Sequence, residues 1–304
     1  MSARSTQSNI LVAVDGSPES DAAVDWAAHE SILRHAPVTL MHVISPVMVS
    51  VPMEPMFNAP EWYERSARHV LRHAEREFHA SLGGSVPVDL HLVIGDGSIV
   101  STLADASKEA QLVVVGSRGL GALRRLMLGS VSSGLLHHAH CPVAVVRTGA
   151  ADAELCGGDA PVLLGLDGTP ASEAATAVAF DEASRRGVDL VALHAWSDVG
   201  IHLMFGADWH ECEPQAGEWL AERLAGWEEQ YPDVCVRRRI VCDEPAYWLI
   251  EESRRAQLLV VGSHGRGGFS GMLLGSTSSA AAQMSSAPVI VVRNTWSGSR
   301  TKQK

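Results

Sequence analysis

The chain contains the same motifs twice. ILVAVDGSP at 10–18 returns as VLLGLDGTP at 162–170, and QLVVVGSRG at 111–119 returns as QLLVVGSHG at 257–265. LGSVSS and CPVAVVR, further along the first copy, recur as LGSTSS and APVIVVR. The repeat offset is 152 positions from Asp15 to Asp167 but 146 from Gly116 to Gly262, so the second copy is shorter in its middle. A duplication of this kind predicts two domains of one design within the 304 residues.

The boundary between the copies is expected in a small, polar segment. Residues 149–160, GAADAELCGGDA, have linker composition. We therefore expect a first domain over 1–148, a linker over 149–160, a second domain over 161–296 and a polar tail over 297–304.

The hydrophobic pattern predicts an α/β fold. Short β-branched runs alternate with longer amphipathic stretches, which is typical of βαβ units and parallel sheets. Ser17 before Pro18, and Thr169 before Pro170, mark helix starts. The Pro- and Met-rich stretch 45–62 is interpreted either as a mobile loop over the strand ends or as a surface insertion. In the first copy, strands are predicted near 9–14, 38–44, 87–93, 111–115 and 142–146.

Composition excludes several classes of protein. The formal net charge of -11 opposes binding to nucleic acid or anionic lipid. No apolar run is long enough for a membrane span or a signal-peptide core, so a cytoplasmic protein is expected. The only lysines are Lys108, Lys302 and Lys304, which argues against a P-loop or Schiff-base lysine. Five scattered cysteines without a C-x-x-C pair indicate buried or incidental thiols rather than a disulfide or zinc framework.

One carboxylate in each copy follows the first predicted strand. Ligands of open parallel sheets bind at the carboxyl ends of the strands. Asp15 and Asp167 could there accept hydrogen bonds from ribose hydroxyls or bind a divalent cation. The alternative is that each forms an Asx-type turn or an additional helix cap.

A glycine-rich loop follows the fourth strand of each copy with the spacing G-x2-G-x9-G-S. Glycines allow a close approach of the backbone to a ligand, and converging N–H groups at a helix N-terminus suit phosphate. The alternative is a set of turns that binds nothing. Arg118, Arg124 and Arg125 could add charge in the first copy, and His264 and Arg266 in the second. The backbone at Val43 and Ala195, where the second strand ends, could contact an adenine edge.

These motifs resemble the ATP-binding branch of the universal stress protein family, in a tandem form similar to that of mycobacterial and other actinobacterial members. The resemblance implies five-stranded doubly wound domains with strand order 3-2-1-4-5 that bind ATP with Mg. It implies that Asp15 and Asp167 contact ribose or the metal, and that Ala13 and Val43, with Gly165 and Ala195, flank the nucleoside. The implied phosphate-binding residues are Gly116, Ser117, Arg118, Gly119, Gly121, Gly129, Ser130, Val131 and Ser132, then Gly262, Ser263, His264, Gly265, Gly267, Gly275, Ser276, Thr277 and Ser278.

Two further expectations accompany the resemblance. His264 stands where the first copy has Arg118, so the second site is expected to bind more weakly or to depend on pH. The final strands, PVAVV at 142–146 and PVIVV at 288–292, are candidate edges for pairing between the copies or in a homodimer. The alternative is that a neighbouring helix covers each edge.

The favoured function is a nucleotide-dependent regulator in stress response or growth control, acting on an unidentified protein partner. It is at most a slow ATPase, because no residue is an evident base for fast hydrolysis. The alternatives are an adenine-nucleotide α-hydrolase-type enzyme that activates a substrate with ATP, and a flavodoxin-like FMN carrier. The absence of G-x-S-x-G argues against a serine hydrolase. His137, His138 and His140 lack the partners of a metal site.

Overall fold

Each copy of the repeat forms five parallel strands with helices between them. The computed structural model describes residues 9–45, 59–84, 87–119, 128–149, 159–196, 209–264 and 274–293. The chain divides into two units, Met1–Thr148 and Gly149–Lys304. Residues 46–58 of the Pro- and Met-rich stretch and residues 150–158 of the predicted linker lie outside the described residues.

The first unit alternates strands and helices from end to end. Its elements are β1 (Asn9–Ala13), α1 (Pro18–Arg34), β2 (Val38–Ile44), α2 (Ala59–Ser81), β3 (Leu90–Asp96), α3 (Ile99–Ala106), β4 (Ala110–Gly116), α4 (Ser130–His138) and β5 (Val143–Val146).

The second unit repeats this order. Its elements are β6 (Val162–Gly165), α5 (Pro170–Arg186), β7 (Leu190–Trp196), α6 (Trp209–Gln230), β8 (Val236–Cys242), α7 (Pro245–Glu252) with a short 3-10 turn (Ser253–Arg255), β9 (Leu258–Gly262), α8 (Ser276–Met284) and β10 (Val289–Val292).

The predicted doubly wound α/β fold is confirmed. The strand order within the first unit is β3-β2-β1-β4-β5, and within the second β8-β7-β6-β9-β10, with parallel pairing throughout. Helix α1 packs against α2, and α3 against α4. Right-handed crossovers place these pairs on opposite faces, because the strand order reverses between β3 and β4. That reversal puts the ends of β1 and β4 beside each other.

Strand β3 differs from the prediction. It was expected near 87–93 but extends over Leu90–Asp96. Its seven residues pair one for one with those of β2, from Val38 with Leu90 to Ile44 with Asp96. The pairing partner, rather than the local apolar run, fixes where this strand begins and ends.

Helix α1 lies unusually close to strand β4. A Cβ built on Gly116 would stand 2.6 Å from the carbonyl oxygen of Glu19 in the first turn of α1. In the second unit, a Cβ on Gly262 would stand 2.8 Å from the backbone of Ala171. The face of α1 towards the sheet carries small side chains, and Ala23, Val24 and Ala27 are inaccessible to solvent. The glycine at the end of the fourth strand is therefore required by helix packing.

The outer edges of the two sheets carry different side chains. On β3, Leu92 and Val93 are 40% and 37% exposed. The corresponding strand β8 instead presents three consecutive arginines, each in an ion pair: Arg237 with Asp189, Arg238 with Glu228, and Arg239 with Glu252. Exposed charge on an edge strand opposes pairing with another strand.

The thiols that the structure describes differ in their exposure. Cys141 is buried, and burial raises the pKa of its thiol to about 12, whereas Cys235 is exposed. Within the described ranges, no three His, Cys, Asp or Glu side chains group into a metal site. None of the helices that the structure describes combines the length and apolar character of a bilayer span.

We predict that Gly116→Ala lowers the free energy of unfolding by about 1–3 kcal/mol, because the added methyl meets rigid backbone. Gly226→Ala is the matched control, since Gly226 lies in α6 with no atom within 4 Å of an added Cβ. That change should raise stability by about 0.5–1 kcal/mol through helix propensity. Urea titrations followed by circular dichroism test both, and equal stability of the two variants would contradict the packing role.

Candidate functional site

Two loops meet at the carboxyl ends of β1 and β4. The turn after β1 carries Asp15, and the loop after β4 carries Gly119. A Cβ built on Gly119 would meet the Asp15 carboxylate oxygen Oδ2. The predicted aspartate and the predicted glycine loop are therefore in direct contact, although 103 residues lie between Asp15 and Gly119 in the chain.

 

Asp15 follows β1 by two positions and Gly119 follows β4 by three, so the reversal of strand order is what brings them together.

Both aspartates form the Asx-type turn that was the alternative to a ligand role. The backbone N–H and the hydroxyl of Ser17 donate to Asp15 Oδ1 at 3.0 and 2.6 Å. Thr169 donates to Asp167 Oδ1 in the same way, at 3.0 and 2.8 Å. Ser17 and Thr169 also cap their helices, as predicted. Because the turn occupies Oδ1 while Oδ2 of Asp15 faces Gly119, the turn fixes this carboxylate towards the loop.

The glycine loop is closed at its base by backbone hydrogen bonds. Ser117 donates to the Val146 carbonyl oxygen at 2.6 Å, and Gly129 donates to the Ser117 carbonyl oxygen at 2.8 Å. In the second unit, Ser263 donates to Val292 at 2.8 Å, and Gly275 donates to Ser263 at 2.7 Å. The two ends of each loop are therefore hydrogen-bonded to each other, and the first end is also bonded to the final strand of its unit. These bonds hold the first turn of α4 or α8 beside the loop.

Helices α4 and α8 begin at this junction with glycine as N-cap. Gly129 and Gly275 make no side-chain cap, and Ser130 and Ser276 are exposed. The Ser132 hydroxyl donates to the Gly116 carbonyl oxygen at 2.6 Å, and the Ser278 hydroxyl to Gly262 at 2.5 Å. These two hydroxyls thus stabilise the end of the strand. The first-turn backbone N–H groups, with Val131 and Thr277 half-buried, form the positive end of each helix.

The charged groups beside the loop differ between the units. Arg118 Nη2 lies 3.0 Å from Glu19 Oε1. Burial, and then the charge of Arg118, lower the pKa of the nearby Arg147 guanidinium. In the second unit, His264 Nδ1 contacts the Ser263 hydroxyl at 2.9 Å, and Ala171 stands at the position of Glu19.

The residues predicted to flank a nucleoside lie at the ends of the first two strands. Val43 is buried, whereas Ala13 and Ala195 are half-buried. Gly165 lies against Leu249 and Val261, so an added Cβ would stand 3.0 Å from a Leu249 methyl. These positions line the same end of each sheet as the aspartate.

Sequence reasoning missed a histidine in each unit. His42 Nδ1 lies 2.7 Å from the Val14 carbonyl oxygen, and His194 Nδ1 lies 2.7 Å from that of Leu166. Each bond joins the second strand to the residue just before the aspartate. The two histidines repeat at the same offset as the aspartates, so comparison of the chain with itself could have found them.

Sequence reasoning also missed an aromatic contact that, among the described residues, the second unit makes and the first does not. The ring centroids of Trp219, in α6, and His194 lie 4.5 Å apart. The Arg223 guanidinium carbon lies 4.9 Å from the Trp219 ring centroid. A Cβ on Gly168 would stand 2.5 Å from the Trp219 ring, whereas one on Gly16 would meet only Val70, at 3.5 Å. The turn beside Asp167 is therefore packed more tightly than the turn beside Asp15.

Some predicted residues lie outside the described part of the chain. They are Gly121, Arg124 and Arg125 in the first unit, and Gly265, Arg266 and Gly267 in the second.

We predict that Gly168→Ala destabilises the chain by about 1–3 kcal/mol more than Gly16→Ala, because its methyl also meets an indole. Both glycines have positive φ, +82° and +80°, so the backbone strain is matched. Urea unfolding of the two variants measures the difference. In a chain carrying Trp219→Val, which introduces the type of residue that Val70 provides in the first unit, Gly168→Ala should cost no more stability than Gly16→Ala. If Gly168→Ala costs as much in the Trp219→Val chain as in the unsubstituted chain, the packing explanation is wrong.

Comparison with known proteins finds similarity over nearly the whole chain. The model of the universal stress protein family matches residues 7–147 and 160–293. A universal stress protein of Mycolicibacterium smegmatis is 56% identical over 292 residues, covering 95% of this chain and 98% of the relative. One from Mycobacterium tuberculosis is 46% identical over 297 residues, covering 96% and 99%.

A solved structure supports the fold over nearly the same length. A universal stress protein from Archaeoglobus fulgidus has a TM-score of 0.71 at 21% identity, covering 95% of this chain and 99% of that one. The duplicated sheet, the two family matches and the near full-length relatives lead to one conclusion: the chain belongs to the universal stress protein family, in a tandem form with two family domains.

Proposed function

We propose that each unit binds ATP with Mg²⁺ at the carboxyl ends of its strands, and that the chain acts as a nucleotide-dependent regulator. The observation that carries the proposal is the contact between the Asp15 carboxylate and Gly119. It joins a group suited to ribose hydroxyls or a metal to a loop suited to phosphate. The closing hydrogen bonds of that loop recur in the second unit.

The residues present fit a nucleotide. The N-cap glycines Gly129 and Gly275 leave the first turns of α4 and α8 without a side-chain cap, which is the arrangement that favours an anion. The Ser117 hydroxyl is buried and has no hydrogen-bond partner among the described residues. Arg118 and Arg147 add positive charge at the base of the first loop. These groups would hold phosphates, while Asp15 or Asp167 would hold ribose or, through ATP, Mg²⁺.

Regulation is proposed in preference to fast catalysis. ATP can shift the chain between two conformations only by binding one of them more tightly. The loops around 45–60 and 120–128 are the proposed places of change, and a protein partner would respond to it. The predicted homodimer through the final strands, β5 and β10, remains part of the proposal, and light scattering with and without Mg-ATP would measure it.

The direct test is mass spectrometry of the nucleotide released when the purified chain is denatured. We expect ATP in near-stoichiometric amounts, reduced in Asp15→Glu and in Asp167→Glu and lost in the double variant. The longer side chain pushes the carboxylate into the loop and breaks the Asx turn. Asp21→Glu is the matched control, because Asp21 also lies in the first turn of α1 but contacts His73 of α2. No nucleotide in any sample, and no binding on titration with Mg-ATP, would refute the proposal.

A second prediction concerns the first unit alone. Gly119→Ala should remove about one ATP per chain, because its methyl occupies the position of Asp15 Oδ2 and separates the two loops. Calorimetric titration with Mg-ATP gives the stoichiometry, and Gly187→Ala provides a control at a positive-φ glycine with open space around an added Cβ. An unchanged stoichiometry in Gly119→Ala would show that the contact is not part of the site.

A further inference from the structure

The base of the first glycine loop contains an ion pair that the second unit lacks. Glu19 is the second residue of α1, and its carboxylate lies 3.0 Å from the Arg118 guanidinium. The two side chains are 15% and 26% exposed. Partial burial strengthens the attraction relative to a pair in open water.

Two hydrogen-bond donors lie buried beside this pair. Arg118 Nε and the Ser117 hydroxyl are buried without a hydrogen-bond partner among the described residues. Arg147 supplies a second cation close enough to Arg118 to lower its own pKa. Glu19 and Arg147 therefore both act on Arg118, the first as an anion and the second as a cation.

The second unit has neither member of the Glu19–Arg118 ion pair. Both members change together, because Ala171 replaces Glu19 and His264 replaces Arg118, whereas Arg293 keeps the position of Arg147. The backbone that forms the base of the loop is the same in both units. The two units thus share the backbone at the base of the loop and differ in both members of the ion pair.

We propose that Glu19 determines how strongly the first site distinguishes nucleotides by their phosphate charge, because it competes with phosphate for Arg118. This inference rests on the proposed function. A phosphate oxygen that approached Arg118 would have to displace or share the N–H groups that Glu19 accepts, and would lie near a like charge. Glu19 therefore lowers the affinity of the first site for ATP, whereas a nucleoside without phosphate does not encounter this competition.

The test uses the full chain carrying Asp167→Glu, so that calorimetry measures the first site. Glu19→Gln keeps the shape of the side chain and should tighten ATP binding by about tenfold, the order expected for removing one like charge beside a polyphosphate. Adenosine binding should change by less than about twofold, since adenosine carries no charge for Glu19 to repel. Asp21→Asn is the control, because it makes the same charge change in the first turn of α1 but faces His73.

Other results overturn the inference. Weaker ATP binding by Glu19→Gln would show that Glu19 orients Arg118, and an equal change for adenosine would show a general effect on the site. Unchanged ATP binding would show that the carboxylate does not compete.

A second variant decides the question if Glu19→Gln does not fold. Glu19→Ala, in the chain carrying Asp167→Glu, introduces the residue that the second unit has at this position and should tighten ATP binding at the first site by about tenfold. No change in ATP binding would overturn the inference. ATP binding by the unsubstituted chain distinguishes failure of the proposed function from failure of the Glu19 inference. If the unsubstituted chain binds no ATP, both proposals fail. If it binds ATP but the variants do not show the expected changes, only the role of Glu19 fails.

Discussion

The close approach of the first helix to the fourth strand is the constraint on which the rest of each unit depends. Gly116 and Gly262 have no Cβ, and an added one would meet the backbone of the first turn of α1 or α5. Because of this contact, the turn that carries the aspartate lies beside the loop that follows the strand. The same glycine supplies the carbonyl oxygen that accepts from Ser132 or Ser278. One residue without a side chain thus joins the helix, the strand and the next helix.

The two units share this backbone arrangement but surround it with different side chains. The first has the Glu19–Arg118 ion pair and a small valine, Val70, against its tight turn. The second has a histidine at the loop and Trp219 with Arg223 against the corresponding turn. Hydrogen bonds between backbone groups fix the common geometry, so the side chains beside them can differ without altering it. Duplication has produced one scaffold with two electrostatic environments.

Much of the fold and part of the site could be predicted from the sequence. The repeat, the alternating pattern and the caps Ser17 and Thr169 indicated the two doubly wound sheets, and local signals of this kind are strong. The aspartate and the glycine loop could be placed together because parallel strands share one carboxyl edge. The bounds of β3 could not be predicted, since they depend on its pairing with β2.

The remaining features depend on contacts between elements that are distant in the sequence. Spacing indicated a ligand-binding role for Gly116, which stays a prediction, but spacing did not reveal that helix packing also requires this glycine. The pairing of Arg118 with Glu19, and of Trp219 with Gly168, follows from which helix face docks beside the turn. The third strands of the two units show the same limit and have a further consequence. A strand added beside β8 would have to disturb the ion pairs of Arg237, Arg238 and Arg239, whereas one added beside β3 would meet the exposed side chains of Leu92 and Val93. The two units therefore differ in how open they are to strand addition, although they share one strand order.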